Sequence, residues 1–595
     1  MDGLVYACNS ISAIANYFVL LFNSEICMRS LDWVILIATL LLIILYGWYK
    51  SKTSKNLEGY FLSDRSMPWY IILLSIMGTQ ASAVTFLAAP GQAYTDGMRF
   101  VQYYFGLPLA AIVICVSFVP AFSKLRVFTA YEYLENRFDG KTRVFASVLF
   151  LLQRGLSTGI SIFAPSLILS VLFEWNIYIT NLLIGGVLIV YTLSGGAKAV
   201  AYTQQLQFFI ITGALVLTGY LIIQKMPEGI GLTQALEVGG RLGKFNVITS
   251  GFNDGKFNWG DRYNILSGII GGFFLALSYF GTDQSQVGRY LTAKNIRQSR
   301  MGLLMNGIVK VPMQFGILLL GVLVFAFYQF HQVPAFFNEY ELSRLENSRH
   351  AETLQQLQQR LEAVNAQKSV LLSDYAQNAS DDKLNALKPL QDSIHIIRSE
   401  VKSLIKDNGG SDNDTNYIFL RFVVDYMPQG LVGLIIAIIF LASWGSIAAA
   451  INSLASSTVI DIHKKCRKNM SDRGDYNHSR LYTLAWSLFC VGVAMFVSSW
   501  SSSLIEVVNI LGSLFYGTIL GVFLVAFYAK KVGGNAVFIA AVVTELVIIL
   551  LFVLNEYGKI SLGFLWLNMI GALMVYVLSV MIQVLFFNQK KQLVS

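Results

Sequence analysis

Two apolar stretches carry more hydroxyl, amide and glycine groups than packing alone would ask for. One runs Ser75-Ile-Met-Gly-Thr-Gln-Ala-Ser-Ala-Val-Thr-Phe-Leu-Ala-Ala-Pro90-Gly91. The other runs Ala442-Ser443-Trp444-Gly445-Ser446-Ile-Ala-Ala-Ala-Ile-Asn452-Ser453-Leu-Ala-Ser456-Ser457-Thr458 and closes on Asp461. Polar groups inside a membrane helix cost energy unless paired, which makes them candidates for a site. The competing explanation is that small residues simply let helices approach closely. Gly78 beside Thr79 and Gln80 favours the site, because a helix that unwinds there frees its carbonyls. Freed carbonyls and a facing hydroxyl form a hard oxygen cage suited to Na⁺, helped by the half-helix dipoles.

Arg154 is a basic residue set deep in an apolar run. It lies 11 residues past Arg143, about 16 Å into a helix. An unpaired guanidinium at that depth costs at least about 3 kcal/mol, so a partner is required, and its own span offers no acid. One expectation is a two-toothed contact to a carboxylate solute. The other is pairing with helix C-terminal carbonyls, or snorkelling.

The elements that position these groups follow from composition. Of 595 residues, 55% are hydrophobic and 13% charged, with a mean hydropathy of +0.57. Such a chain belongs to the all-α, polytopic membrane class. Runs long enough to cross the hydrocarbon core occur at roughly 32–50, 67–90, 101–122, 144–172, 177–195, 201–224, 265–290, 302–330, 429–461, 481–500, 505–528, 534–555 and 562–587, about 13 transmembrane helices. The net charge of +9 lies in short loops between these runs and argues for no nucleic-acid partner. Placing the basic loops inside puts the N-terminus outside and the C-terminus in the cytoplasm of an inner-membrane protein. The sharpest basic loop is His463-Lys464-Lys465-Cys466-Arg467-Lys468, and the Lys590-Lys591 tail agrees. Cys8 and Cys27 are the only cysteines that could meet on an oxidising side. Asp2 is the only early charge, so no signal peptide is expected.

Residues 331–416 form a polar insertion. Leu354, Leu357, Leu361, Val364 and Leu371 mark one helical stripe; Leu387, Leu390, Ile394, Ile397, Val401 and Leu404 mark another. An antiparallel helical hairpin outside the membrane is expected, with Pro389 delaying or kinking its second helix. It serves as a structural cap or as an arm for a protein partner.

At these residues the sequence resembles the sodium:solute symporter family, especially its iodide, multivitamin, monocarboxylate and bacterial sialic-acid branches. The likeness runs from Tyr60 to about Lys531, the insertion excepted. It is carried by Tyr60-Phe-Leu-Ser-Asp-Arg-Ser-Met-Pro-Trp69, Thr129-Ala-Tyr-Glu-Tyr-Leu-Glu-Asn-Arg-Phe138, Gly195-Gly-Ala-Lys-Ala-Val-Ala-Tyr-Thr203 and Gly281-Thr-Asp-Gln284. Gln286-Val-Gly-Arg-Tyr-Leu291 and the spacing of Asn452-Ser453 to Asp461 add to it. The resemblance implies a LeuT-type fold of two inverted five-helix repeats, 67–224 and 265–528, the second interrupted by 331–416. Residues 1–66 then hold an outer segment, an extra helix and an inner loop; 225–264 an outer loop; 529–595 the C-terminal helices and tail.

The same likeness implies a main Na⁺ site of the Gly78, Ala81 and Ala442 carbonyls with the Ser446 hydroxyl. The family offers two adjacent hydroxyls, whereas here Gly445 precedes Ser446. Gln204 stands where some members carry the acid of a second sodium site, and Gly445, Ala448 and Ala449 replace its serines, so one Na⁺ is expected. Gln80, Ser82 and Thr85 would face the solute, Phe100 and Tyr104 would lid it, and Tyr279 and Phe280 would gate it from inside. Asn509 is a further polar candidate. In the sialic-acid carriers the anion-binding arginine would fall at Ser157, one turn from Arg154. The expected activity is Na⁺-coupled symport of a small polar solute, an anionic carboxylate or sialic-acid-like compound. The alternatives are a sodium-independent or proton-linked carrier, or a solute sensor, which the lack of any kinase-like stretch before Ser595 disfavours. No nucleophile–base pairing suggests an enzyme.

Overall fold

The computed structural model describes residues 29–50, 57–173, 175–194, 197–377, 381–466, 472–497 and 504–587. The segment upstream of Met28, the Cys8 and Cys27 pair, Gly195-Gly196, residues 467–471 of the basic loop and the Lys590-Lys591 tail lie outside them. Helices cover every apolar run anticipated above. Among the described residues ten are long and apolar enough to cross a membrane, and three shorter ones accompany them.

The first span after α1 (Ser30–Lys50) is interrupted: α2 (Trp69–Gln80) stops and α3 (Ala83–Asp96) begins two residues later. A 3₁₀ run (Gly97–Tyr104) leads to α4 (Leu107–Val113), which continues through a π-helical turn into α5 (Val119–Leu125). Next come α6 (Ala130–Arg137), α7 (Gly140–Phe173), α8 (Ile177–Ser194), α9 (Ala197–Gln224) and the short α10 (Leu232–Arg241). A second interrupted span joins α11 (Gly272–Thr282) to α12 (Gln284–Leu291), and α13 (Ile296–Phe330) follows. Beyond the insertion helices α14 (Ala351–Gln377) and α15 (Asp381–Asp407) lie α16 (Ile418–Tyr426), α17 (Leu431–Ser457), α18 (Asp472–Val497), α19 (Leu504–Tyr528), α20 (Gly534–Glu556) and α21 (Leu565–Ile582).

Both interruptions have local causes. At the first, Ser82 is extended and its N–H goes to the Gln80 carbonyl rather than to Gly78. The Thr85 hydroxyl also donates to the Gln80 carbonyl, at 3.1 Å, capping the end of α2. At the second, Asp283 is extended and its carboxylate accepts the Ser285 N–H at 2.7 Å, an N-cap for α12. The break therefore falls at Ala81–Ser82, three residues after the glycine expected to cause it. Gly78 lies within α2 because the helix packs on another side chain there: a Cβ would stand 2.8 Å from that of Gln204.

The most buried helix is α17, which packs against α2, α3, α7, α9 and α18. Asp461, just past its end, is fully buried and bonds Arg143 (2.7 Å) and the Thr129 hydroxyl (2.7 Å). Arg143 also reaches Glu135 at 2.6 Å, tying α6, α7 and α17 together on that side of the bundle.

The insertion is a pair of packed helices, with 378–380 outside the described residues. Leu354, Leu357, Leu361, Leu387, Ile394, Ile397 and Val401 are buried along the seam. The second helix does not start late at Pro389; it runs from Asp381 through that proline. Lys368 donates to the Tyr328 carbonyl at 2.8 Å, and burial pushes its amine down to about 7. At the hairpin's base, burial raises the Asp414 carboxyl, but Arg398 and Lys402 outweigh it and hold the group below the usual carboxylate range. The base also seats on α3: a Cβ on Gly91 would overlap the Thr415 carbonyl, and the Tyr94 and Phe337 rings meet edge-on at 5.6 Å. Asn416 accepts the first backbone N–H of α19 at 3.4 Å.

Candidate functional site

A cavity of about 150 Å³ opens beside the first helix break. Of the residues singled out above, Gln80, Ser82, Thr85, Tyr104, Arg154, Tyr279, Phe280 and Asn509 line it. Tyr103, Gln153, Ser161, Lys310 and Tyr516, which the sequence reading did not single out, line it too. Tyr103 donates to the Asn509 side chain at 3.2 Å, joining the 3₁₀ run to α19 across the cavity. Gln80 donates to Asn306 of α13 at 3.1 Å.

Two expected residues stand elsewhere. Phe100 is fully buried among Tyr103, Tyr104 and Tyr263, so it supports the lid tyrosines instead of facing the cavity. Ser157 is buried and donates to the Arg154 carbonyl at 3.3 Å, back along its own helix, as hydroxyls in apolar helices commonly do.

Inside the protein, Arg154 pairs with groups other than the helix C-terminal carbonyls considered for it. Its Nε lies 3.8 Å from Asp283 in the second helix break, its Nη2 bonds the Ser285 hydroxyl, and its guanidinium sits 5.7 Å over the Tyr279 ring. The Tyr516 hydroxyl donates to the same Asp283 Oδ2 at 2.6 Å. A carboxylate on another helix therefore neutralises Arg154, and the pair forms a charge-balanced floor.

Lys310 is different. It is 2% exposed and sits 14 residues into α13, with its ammonium 5.6 Å over the Tyr104 ring. Among the described residues no carboxylate or hydrogen-bond acceptor pairs with it. An ammonium out of water without a counterion is costly. A cation facing a cavity between broken helices is thus available to an anion that enters.

The elements of the expected cation site also meet. The Gly78 carbonyl is freed because Ser82 donates elsewhere, and Ala81 is freed because the Thr85 N–H turns to Ser82. Helix α2, which carries Gly78, packs against α17, where the Ser446 hydroxyl donates to the Ser443 carbonyl at 3.0 Å. Gln204 of α9 lies between: it accepts from Ser75 at 2.8 Å and donates to the Thr79 hydroxyl and the Gly445 carbonyl, both at 3.2 Å. A side-chain amide thus bridges α2, α9 and α17.

The chain is similar to known membrane carriers. A model of the sodium:solute symporter family matches residues 60–347 and 401–544. The sodium/sialic acid symporter NanT of Aliivibrio fischeri is 25% identical over 562 residues, spanning 94% of each chain. The sodium/sialic acid symporter SiaT of Proteus mirabilis is 24% identical, covering 94% of this chain and 96% of its own. The rabbit (Oryctolagus cuniculus) sodium-dependent multivitamin transporter is 27% identical over 80% of this chain and 62% of its own. A solved Na⁺-coupled sialic acid symporter, substrate-bound and outward-open, superposes with a TM-score of 0.72 at 23% identity over 94% of this chain and 98% of its own. The fold is therefore the LeuT-like one.

Proposed function

The chain belongs to the sodium:solute symporter family, and from that premise we propose that this multi-pass membrane carrier moves a small carboxylate solute of the sialic-acid kind with one Na⁺ per cycle. The observation that carries the anionic solute is Lys310, a buried lysine on the cavity wall with no counterion among the described residues. The sialic-acid relatives, aligned over almost the whole chain, support the solute class.

In this reading Lys310 takes the carboxylate, while Gln80, Ser82, Thr85 and Asn509 offer hydrogen bonds to the rest of the solute. Tyr103 and Tyr104 close over it, and Tyr279 and Phe280 close beneath. Arg154, already answered by Asp283, shapes the floor. The Gly78, Ala81 and Ala442 carbonyls and the Ser446 hydroxyl hold Na⁺ between α2, α3 and α17. Gln204 in place of an acid, with Gly445, Ala448 and Ala449 in place of hydroxyl residues, supports a single ion. The N-terminus faces outward and the C-terminus the cytoplasm of the inner membrane. Na⁺ ties the broken helix to α17 and preorganises Gln80 beside the solute. Its release on the low-sodium side frees both. Coupling of this sort needs only that each ligand prefer the same state.

The test is uptake of labelled sialic acid and of other carboxylates into proteoliposomes with Na⁺ replaced by choline. A fall of about five-fold or more is expected, the usual range for coupled sites; unchanged uptake overturns the assignment. Ser446→Ala removes one ligand oxygen, worth roughly 0.5–1.5 kcal/mol, so half-saturating Na⁺ should rise about three- to ten-fold. An unaltered Na⁺ titration would place the ion elsewhere.

A further inference from the structure

A second buried cation lacks a partner, away from the solute cavity. Arg289 of α12 is 6% exposed, and among the described residues no carboxylate lies within 4 Å of it and no acceptor bonds its guanidinium. It borders a separate, partly open space of about 20 Å³ shared with Phe61, Gln284, Gly288, Asn452, Ser453 and Ser456. Asn452 of α17 is 5% exposed, and neither its Oδ1 nor its Nδ2 has a partner.

The neighbours cannot satisfy these groups. The Gln284 amide is spent on the Phe128 carbonyl (2.9 Å) and the Ala130 N–H (3.0 Å). The Ser456 hydroxyl hydrogen goes to the Ser453 carbonyl at 3.0 Å. The nearby charges do not help either. Arg154 and Asp283 cancel each other, which leaves the Arg289 charge unanswered. A guanidinium removed from water needs a counter-charge, since breaking such a pair costs several kcal/mol. A space of this size holds about one water-sized occupant. A water would bridge Arg289 and Asn452 without neutralising anything. A carboxylate solute is too large.

We propose that this space is a binding site for a small inorganic monoanion of chloride size, held by the Arg289 guanidinium and the Asn452 Nδ2 donor. The anion joins α12, which follows the second helix break, to α17, which flanks the first, so its occupancy stabilises the conformation in which the two are packed together. The site is independent of the solute assignment, because no residue of it lines the solute cavity.

The experiment is a thermal-stability titration of the purified full chain at constant Na⁺ and ionic strength, with chloride, bromide or gluconate as the anion. Chloride and bromide should raise Tm saturably over gluconate, by about 1–2 °C at ten times Kd for a chain of this size. Arg289→Gln should abolish the difference, and Asn452→Leu should weaken it. Should the Arg289 variant fail to fold, a bromide derivative of the wild-type protein decides, with an anomalous peak expected beside Arg289. Identical curves in chloride and gluconate, or a peak absent from that position, overturn the proposal.

Discussion

Lys310→Met is expected to cut carboxylate uptake severely while leaving the carrier at least as stable as before. The two effects separate because Lys310 has no carboxylate or hydrogen-bond partner among the described residues. It is 2% exposed, faces the cavity and sets its amine over the Tyr104 ring. Replacing it with an apolar side chain of similar length removes a desolvation cost from the folded state, and neutral or positive changes in stability are the rule for such swaps. The bound solute loses its counter-charge. Truncating one member of a buried charge pair costs roughly 2–5 kcal/mol, which is about thirty-fold or more in kcat/KM for uptake. Initial-rate uptake and Tm on the same preparation check both halves. A variant that transports carboxylates with unchanged kcat/KM would remove Lys310 from the site.

Asp283→Asn should do the reverse and injure the fold first. Asparagine keeps the oxygen that accepts the Ser285 N–H but puts an NH₂ where Oδ2 accepts from the Tyr516 hydroxyl, so the substitution removes the charge and that one hydrogen bond. Arg154 is then left as an uncompensated guanidinium at 11% side-chain exposure. A stability loss of about 3–5 kcal/mol is expected, seen as low yield and a depressed Tm in detergent. The double variant Asp283→Leu with Arg154→Met removes both charges and should recover most of that loss. If the double variant is no more stable than the single one, Arg154 draws its compensation from somewhere other than Asp283.

These two lysine and arginine sites also show what a sequence can and cannot convey. Helix positions were legible, because apolar runs of membrane length have few alternatives. The hairpin seam was equally plain from its spacing of three and four. Gln80, Ser82 and Thr85 came from the resemblance to the family and not from their own pattern, and all three line the cavity. Arg154 announced that it needed a partner, but Asp283 is 129 residues away and nothing local connects them. Lys310 was missed because the surrounding span has a mean hydropathy of 2.2, and one ammonium barely lowers such an average. Its signal was a lone lysine between Val309 and Val311 in the middle of a helix, the same kind of signal that drew attention to Arg154. Gly78 misled by propensity: a glycine suggested unwinding, whereas its missing Cβ makes room for Gln204.

The polar insertion is fastened to two of the helices that line the cavity. Its foot rests on α3 at Gly91 and on the first turn of α19 at Leu504, so those two helices steer it directly. Its first arm is 27 residues long, roughly 40 Å at the rise of an α-helix. A tilt of a few degrees at the foot therefore becomes a sweep of several ångströms at the far end, and anything that grips the tip gains leverage over the passage below.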